Sequence, residues 1–275
     1  IIMATLSTLT PPQLSDLTNS IASLFHRHHR RLSTLLSSPT IFSLTLHHLH
    51  SLSLHHKSLL IARHLLSTLT HLTHFLQTNT TPPPYAATAV KLRDLDAVLL
   101  LLLLCELRQH YPEALQISPS HWRVILCDYV SDTMLKLSGI GVSNIAVLFQ
   151  YIEVVAKCRR FVGVMGCGGG GGGKEGREVA ASVAAVVALP SVEVSGVGME
   201  CVICKEEMKE GRDVCELPCE HLFHWMCILP WLRKRNTCPC CRYRLPTDDV
   251  FSEIGRLWEF LAKVGNGSSL YVECT

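Results

Sequence analysis

Apolar residues recur at helical spacing through most of the first 165 positions. Leu14, Leu17, Ile21, Leu24 and Phe25 fall on one helix face, and Leu59, Ala62, Leu66, Leu69 and Leu76 on another. Thr78 to Pro84 is a polar break whose consecutive prolines end any helix. Beyond it, Ala97 to Cys105 is an unbroken apolar run. A bilayer span needs about 20 residues, so this run predicts a buried helix and no membrane crossing. Ser118-Pro119 opens the best-defined helix, with serine as cap and proline in the first turn. Trp122, Ile125, Leu126, Tyr129, Val130, Met134 and Leu137 follow on one face, and Gly139 ends it. A further helix starts near Ser143, with Ile145, Leu148, Phe149, Ile152, Val155 and Ala156 as its apolar face.

The texture then changes. Gly166 to Gly173 is a glycine-rich hinge with nothing to pack. It is not a phosphate loop, because Glu175 follows Lys174 where Ser or Thr is required. Val179 to Leu189 predicts a weak helix ended by Pro190, and the run from Phe223 to Leu232 predicts another short one. Asp248 is a candidate cap for a last helix carrying Val250, Phe251, Ile254, Leu257, Trp258 and Leu261. The apolar face of that helix needs cover, from the rest of the chain or from a second copy as a homodimer.

Composition narrows the classes. With 275 residues, 48% of them hydrophobic, the chain can bury a sizeable core in two units. A net charge of +2 argues against nucleic acid as a partner. The first 93 residues hold one acid, Asp16, and eleven of the fifteen histidines. Acid-poor composition is typical of transit peptides, but long amphipathic helices are not, so a folded helical domain is the better reading. The doublets His28-His29, His47-His48 and His55-His56 lie among leucines without Cys or carboxylate, which suits a polar helix face better than a metal site.

The candidate chemistry lies between Cys201 and Cys241. Cys201-x2-Cys204 is followed by Cys219-x-His221-x2-His224-x2-Cys227 and then Cys238-x2-Cys241. Zinc takes four thiolates or imidazoles in a tetrahedron, so eight ligands make two closed structural sites with no open position for a catalytic water. Side-chain alternation would bring Cys219 and His221 to one face of an extended segment, and i, i+3 spacing would pair His224 with Cys227 on a helical turn. Which pairs share an ion is open on spacing alone. The remaining cysteines are scattered, the usage of a reducing compartment.

The run Leu217-Pro-Cys-Glu-His-Leu-Phe-His-Trp-Met-Cys-Ile-Leu-Pro-Trp-Leu232, with Thr237-Cys-Pro-Cys-Cys-Arg242, resembles the RING finger of ubiquitin ligases in its two-histidine variant. The resemblance implies an interleaved cross-brace. One zinc would take Cys201, Cys204, His224 and Cys227, and the other Cys219, His221, Cys238 and Cys241. It also implies that Ile203, Trp231, Pro239 and Arg242 grip a ubiquitin-charged conjugating enzyme. Ubiquitin would then pass directly to a lysine of a protein substrate. No covalent nucleophile is expected: Cys215 and Cys240 are spare thiols without a fixed base. The competing class is a non-catalytic zinc-stapled adaptor.

The expected architecture is a mainly α N-terminal helical domain, a small zinc-stapled RING of cross-braced α+β type, and a C-terminal helix. The boundaries are 1–165 for the helical targeting or substrate-binding domain, 166–198 for hinge and linker, 199–247 for the RING and 248–275 for the last helix and tail. The helical texture from Pro11-Pro12-Gln13-Leu14 through Leu46-His47-His48-Leu49 to Leu54-His55-His56-Lys57 is similar to that of amyloplast-associated plant ubiquitin ligases. That implies a plastid location on the cytosolic face, with peripheral attachment; the alternative is the cytoplasm.

Overall fold

A computed structural model describes residues 1–76, 91–116, 118–138, 144–166, 178–194, 198–209 and 213–267. The proline break at Thr78 to Pro84, Gly139 and the six-glycine run lie outside the described residues. In chain order the helices are α1 (Ile2–Leu6), α2 (Pro11–Ser37), α3 (Pro39–Ser51), α4 (Leu54–Leu76), α5 (Leu92–His110), α6 (Pro119–Ser138), α7 (Asn144–Gly166), α8 (Val183–Val187), α9 (Trp225–Leu232) and α10 (Val250–Gly265). The strands are β1 (Ser191–Glu193), β2 (Asp213–Glu216) and β3 (Leu222–Phe223). The chain is thus mainly helical, with a small mixed unit near its end. Among the described residues, no helix is long and apolar enough to cross a membrane.

Two compact units divide the chain. Residues 9–75 and 91–166 make the first, which is all helix. Thr10 starts α2 with a capping box: its backbone N–H donates to Gln13 Oε1 at 3.0 Å, and Pro11 takes the first turn. Ser38 separates α2 from α3 and accepts the Ile41 N–H on its side chain. A large core joins Leu35 and Leu36 of α2, Phe42 of α3, Leu100 and Leu107 of α5, and Leu126 of α6. The Ala97 to Cys105 run lies inside α5, where Ala97, Val98 and Leu100 are fully buried although Cys105 is exposed.

Sequence periodicity misjudged two faces. In α4 the most deeply buried apolar residues are Ile61, Ala62, Leu65, Leu69 and Leu72, while Leu59, Leu66 and Leu76 are only half-buried. The helix has a wide buried face, which also holds His64 and Thr68. In α7 the buried row is Val147, Tyr151, Val155 and Cys158, and Phe149 is 58% exposed. Tyr151 fixes that rotation, because its Oη donates to the Thr68 carbonyl of α4 at 2.7 Å. Among the described residues, one acid enters this unit's core: Asp96, 8% exposed, accepts from Arg31 Nε at 3.0 Å and Nη2 at 2.5 Å. A carboxylate can be buried at that depth because a bidentate guanidinium replaces its water.

The second unit gathers residues 1–8 with 178–267. Its antiparallel sheet has the order β1-β2-β3, with Val192 opposite Val214 and Cys215 opposite Phe223. Beneath it, Leu189, Val194, Met208, Val214, Phe223 and Ile228 form the core. Ser182 caps α8 by accepting the Ala185 N–H. Asp249, and not its neighbour Asp248, caps α10, its Oδ1 accepting the Ser252 N–H at 2.8 Å; one residue decides which carboxylate reaches back over the first turn. Against α10 lies α1, whose Thr5 Oγ1 donates to the Leu261 carbonyl at 2.9 Å.

Candidate metal centre

Two matching knuckles carry the paired cysteines. Lys205 follows Cys204 and donates its N–H to the Cys201 carbonyl at 2.7 Å, while Cys201 N–H donates to Glu206 O at 2.9 Å. Arg242 follows Cys241 and donates to the Cys238 carbonyl at 3.1 Å, while Cys238 N–H donates to Tyr243 O at 2.8 Å. Both residues take a left-handed backbone, with φ of 63° and 61°. That conformation turns the chain back so that the two sulfurs of each Cys-x2-Cys converge.

The other two pairs are built differently from the sequence expectation. Cys219 and His221 do not lie on an extended segment. Glu220 between them has φ 64°, and its N–H donates to Leu217 O at 2.8 Å, so a tight turn brings the two side chains together. His224 lies outside α9, as its extended N-cap residue, and Cys227 lies within the first turn. Phe223 belongs to β3, so the short helix starts later than the sequence predicted.

The eight side chains gather as two quartets. Cys201, Cys204, His224 and Cys227 form one, Cys219, His221, Cys238 and Cys241 the other, and within each quartet all ligand atoms lie within 4.8 Å of one another. In both, a histidine Nδ1 lies 3.4 Å from a cysteine Sγ: His224 from Cys204, and His221 from Cys219. Bond lengths to tetrahedral zinc imply an S···N separation of about 3.6 Å. The residues therefore fit two zinc ions, each held by three sulfurs and one imidazole. Local charge agrees. The thiol of Cys219 donates toward Cys238, pulling Cys238 down to about 5, while the same contact pushes Cys219 up. Sulfurs this close must share protons or a metal. Cys240 N–H donates to Cys238 Sγ at 3.4 Å, the kind of outer hydrogen bond that orients a thiolate.

Comparison with known proteins agrees with this geometry. Residues 199–242 match the Ring finger domain family. Over 273 residues, 96% of this chain and 95% of the relative, the sequence is 55% identical to E3 ubiquitin-protein ligase SGR9, amyloplastic, from Arabidopsis thaliana. The chain belongs to the RING-type E3 ubiquitin-protein ligases. Two further relatives match over a shorter stretch. E3 ubiquitin-protein ligase RNF181 of Xenopus tropicalis is 52% identical over 67 residues, 23% of this chain and 43% of the relative. E3 ubiquitin-protein ligase RING1-like of Arabidopsis thaliana is 46% identical over 70 residues, 24% and 21% respectively.

In this ligase the four residues that the sequence resemblance implied for partner binding lie on or next to segments that carry quartet residues. Ile203, within the first knuckle, is 37% exposed beside the fully buried Cys201. Pro239, within the second, is half-buried, and Arg242 is exposed. Trp231 is half-buried on α9, its indole N–H tied to the Thr237 carbonyl at 2.7 Å. Sequence reasoning missed Arg235, whose guanidinium lies 4.9 Å from the centre of the Trp231 ring. Nor did it reveal that Trp225 Nε1 donates to Ser191 of β1 at 3.0 Å. The left-handed residues were detectable in principle, since two cysteines spaced for one ion need a sharp turn. Of the spare thiols, Cys215 is fully buried on β2, which pushes it up to about 11, whereas Cys240 is exposed.

Proposed function

We propose that this ligase holds a ubiquitin-charged conjugating enzyme on Ile203, Trp231, Pro239 and Arg242, and promotes direct transfer of ubiquitin to a lysine of a protein substrate. The observation that carries this reading is the exposure of Ile203. An isoleucine on a loop fixed by a metal quartet contributes little to folding, but it offers a rigid apolar contact. Trp231 supplies a large apolar ring whose only donor is already satisfied. Arg242 adds a planar fork suited to carbonyl and amide partners. Among the described residues, the thiols that lie beside an imidazole, Cys204 and Cys219, are metal ligands together with it, so the rate gain comes from positioning the thioester and the lysine. Zinc builds the surface and takes no part in the chemistry.

The helical unit is the part left for substrate capture and for location. Because SGR9 is named amyloplastic, we assign this ligase to the plastid, on the cytosolic face where ubiquitin is available, with the helical unit as its peripheral attachment. The test is ubiquitin transfer by the zinc-loaded chain with a panel of conjugating enzymes, alongside fractionation of intact plastids with and without external protease. Polyubiquitin formation and loss of the chain to external protease are expected. Failure with every enzyme tested would leave a zinc-stapled adaptor, and protection from protease would move the protein inside the organelle.

A further inference from the structure

Three arginines line one open groove on the unit that carries the metal centre. Arg235 comes from the turn after α9, Arg242 follows the second knuckle, and Arg244 lies two residues further on. The groove has a volume of about 490 Å³. One carboxylate already occupies it: Glu178 Oε1 accepts from Arg235 Nε at 2.8 Å and from Nη2 as well. Glu178 is on a short arm whose base is anchored, since Ala181 N–H donates to Leu232 O and Ser182 N–H to Pro246 O, both at 2.9 Å. Arg244 meets Glu259 at 2.9 Å in a pair that is half-exposed on both sides.

The charge balance selects the ligand. Three guanidinium charges, offset by Glu178 and Glu259, leave one positive charge; with Glu178 displaced they leave two. A free carboxylate would merely repeat what Glu178 does from a tether, at an effective concentration on the order of millimolar. A phosphate monoester carries about 1.5 to 2 negative charges and three acceptor oxygens, which arginine forks grip bidentately. The groove is larger than a phosphate and open to one side, leaving room for the residue that bears it.

We propose that this groove takes a phosphorylated side chain of a protein segment, which displaces Glu178 from Arg235. Arg235 also stacks on Trp231, and Arg242 lines both the groove and the surface assigned to the conjugating enzyme. Occupancy therefore draws two cations away from that surface and weakens ubiquitin transfer; this consequence alone rests on the function proposed above.

The test is an NMR titration of the full, zinc-loaded chain, following arginine Nε–H resonances. The probes are a phosphoserine peptide flanked by glycines, its unphosphorylated twin, and inorganic phosphate. The phosphopeptide should shift Arg235 and Arg242, and its twin should not. Glu178→Gln should tighten binding about tenfold and Arg244→Gln should weaken it about tenfold, both variants keeping two zinc ions. No response in either wild type or Glu178→Gln would overturn the proposal. Equal affinity for inorganic phosphate would overturn the assignment to a protein segment. Since the readout is binding, a negative result here is distinguishable from a failure of ubiquitin transfer.

Discussion

Lys205 and Arg242 occupy equivalent places in the two knuckles. Each follows the second cysteine of a Cys-x2-Cys, each has φ near +60°, and each closes its loop on the carbonyl of the first cysteine. One backbone solution therefore serves both quartets, and at Arg242 it also sets the direction of a side chain assigned to partner binding. Lys205→Val should destabilise the zinc unit by about 1–2 kcal/mol, because a β-branched residue resists a left-handed backbone, whereas Lys205→Gly should not. Arg242→Gly should keep both zinc ions while lowering ubiquitin transfer. Thermal unfolding and zinc content check the first pair of variants, and transfer rates the last.

Metal removal should unfold the second unit. Its core is small, and structural zinc supplies roughly 10–16 kcal/mol in comparable zinc-finger peptides. Chelation, or Cys219→Ser, should abolish the dispersed NMR signals of β1 to β3 and α9. The resonances of α2 to α7 should persist, since none of the quartet residues belongs to their unit.

Acid should weaken the helical unit through two histidines. Burial, and then the neighbouring Arg27, lowers His28 from 6.5 to about 4. Burial, and then His28, lowers His64 to about 4, with the rings 5.4 Å apart. The folded pKa lies below the unfolded one in both. Between pH 6.5 and 4 the unfolded chain therefore binds protons that the folded chain does not, so stability is present above 6.5 and falls as pH drops through that window. The slope is up to ~1.4 kcal/mol per pH unit for each histidine. Urea unfolding of α2 to α7 at stepped pH should show this slope, and His64→Gln should flatten it.

These histidines show where the sequence stops being informative. Helical spacing located α2, α4, α5, α6 and α7, and ligand spacing located the residues of both quartets, because each depends on local geometry. Burial depends on what packs from elsewhere. His64 reads as one of many polar positions until α2 covers it, and the α7 face is fixed by the Tyr151 contact to Thr68. Likewise β1 has only three residues and gains strand geometry from β2, while α1 gains its place from α10. Contacts across such sequence distances leave no periodicity.

The α1 contact carries its own expectation. Ile2, Thr5 and Leu6 are buried, and a Cβ on Gly265 would approach Ala4 Cβ at 3.1 Å and Thr5 N at 3.2 Å. Thr5→Val should cost about 1 kcal/mol by removing the hydrogen bond to Leu261. Deleting residues 1–8 should uncover the end of α10 around Leu261 and promote self-association, which analytical ultracentrifugation would detect; an unchanged monomer fraction would mean that this surface needs no cover.

The most direct test is single-turnover discharge of a ubiquitin-loaded conjugating enzyme onto free lysine, comparing wild type with Ile203→Ala at equal zinc content. Wild type should accelerate discharge without acquiring a ubiquitin thioester, and Ile203→Ala, folded and carrying two zinc ions, should lose at least about tenfold of the acceleration. Undiminished discharge by Ile203→Ala would rule out the proposed groove, and a thioester on the chain itself would rule out direct transfer.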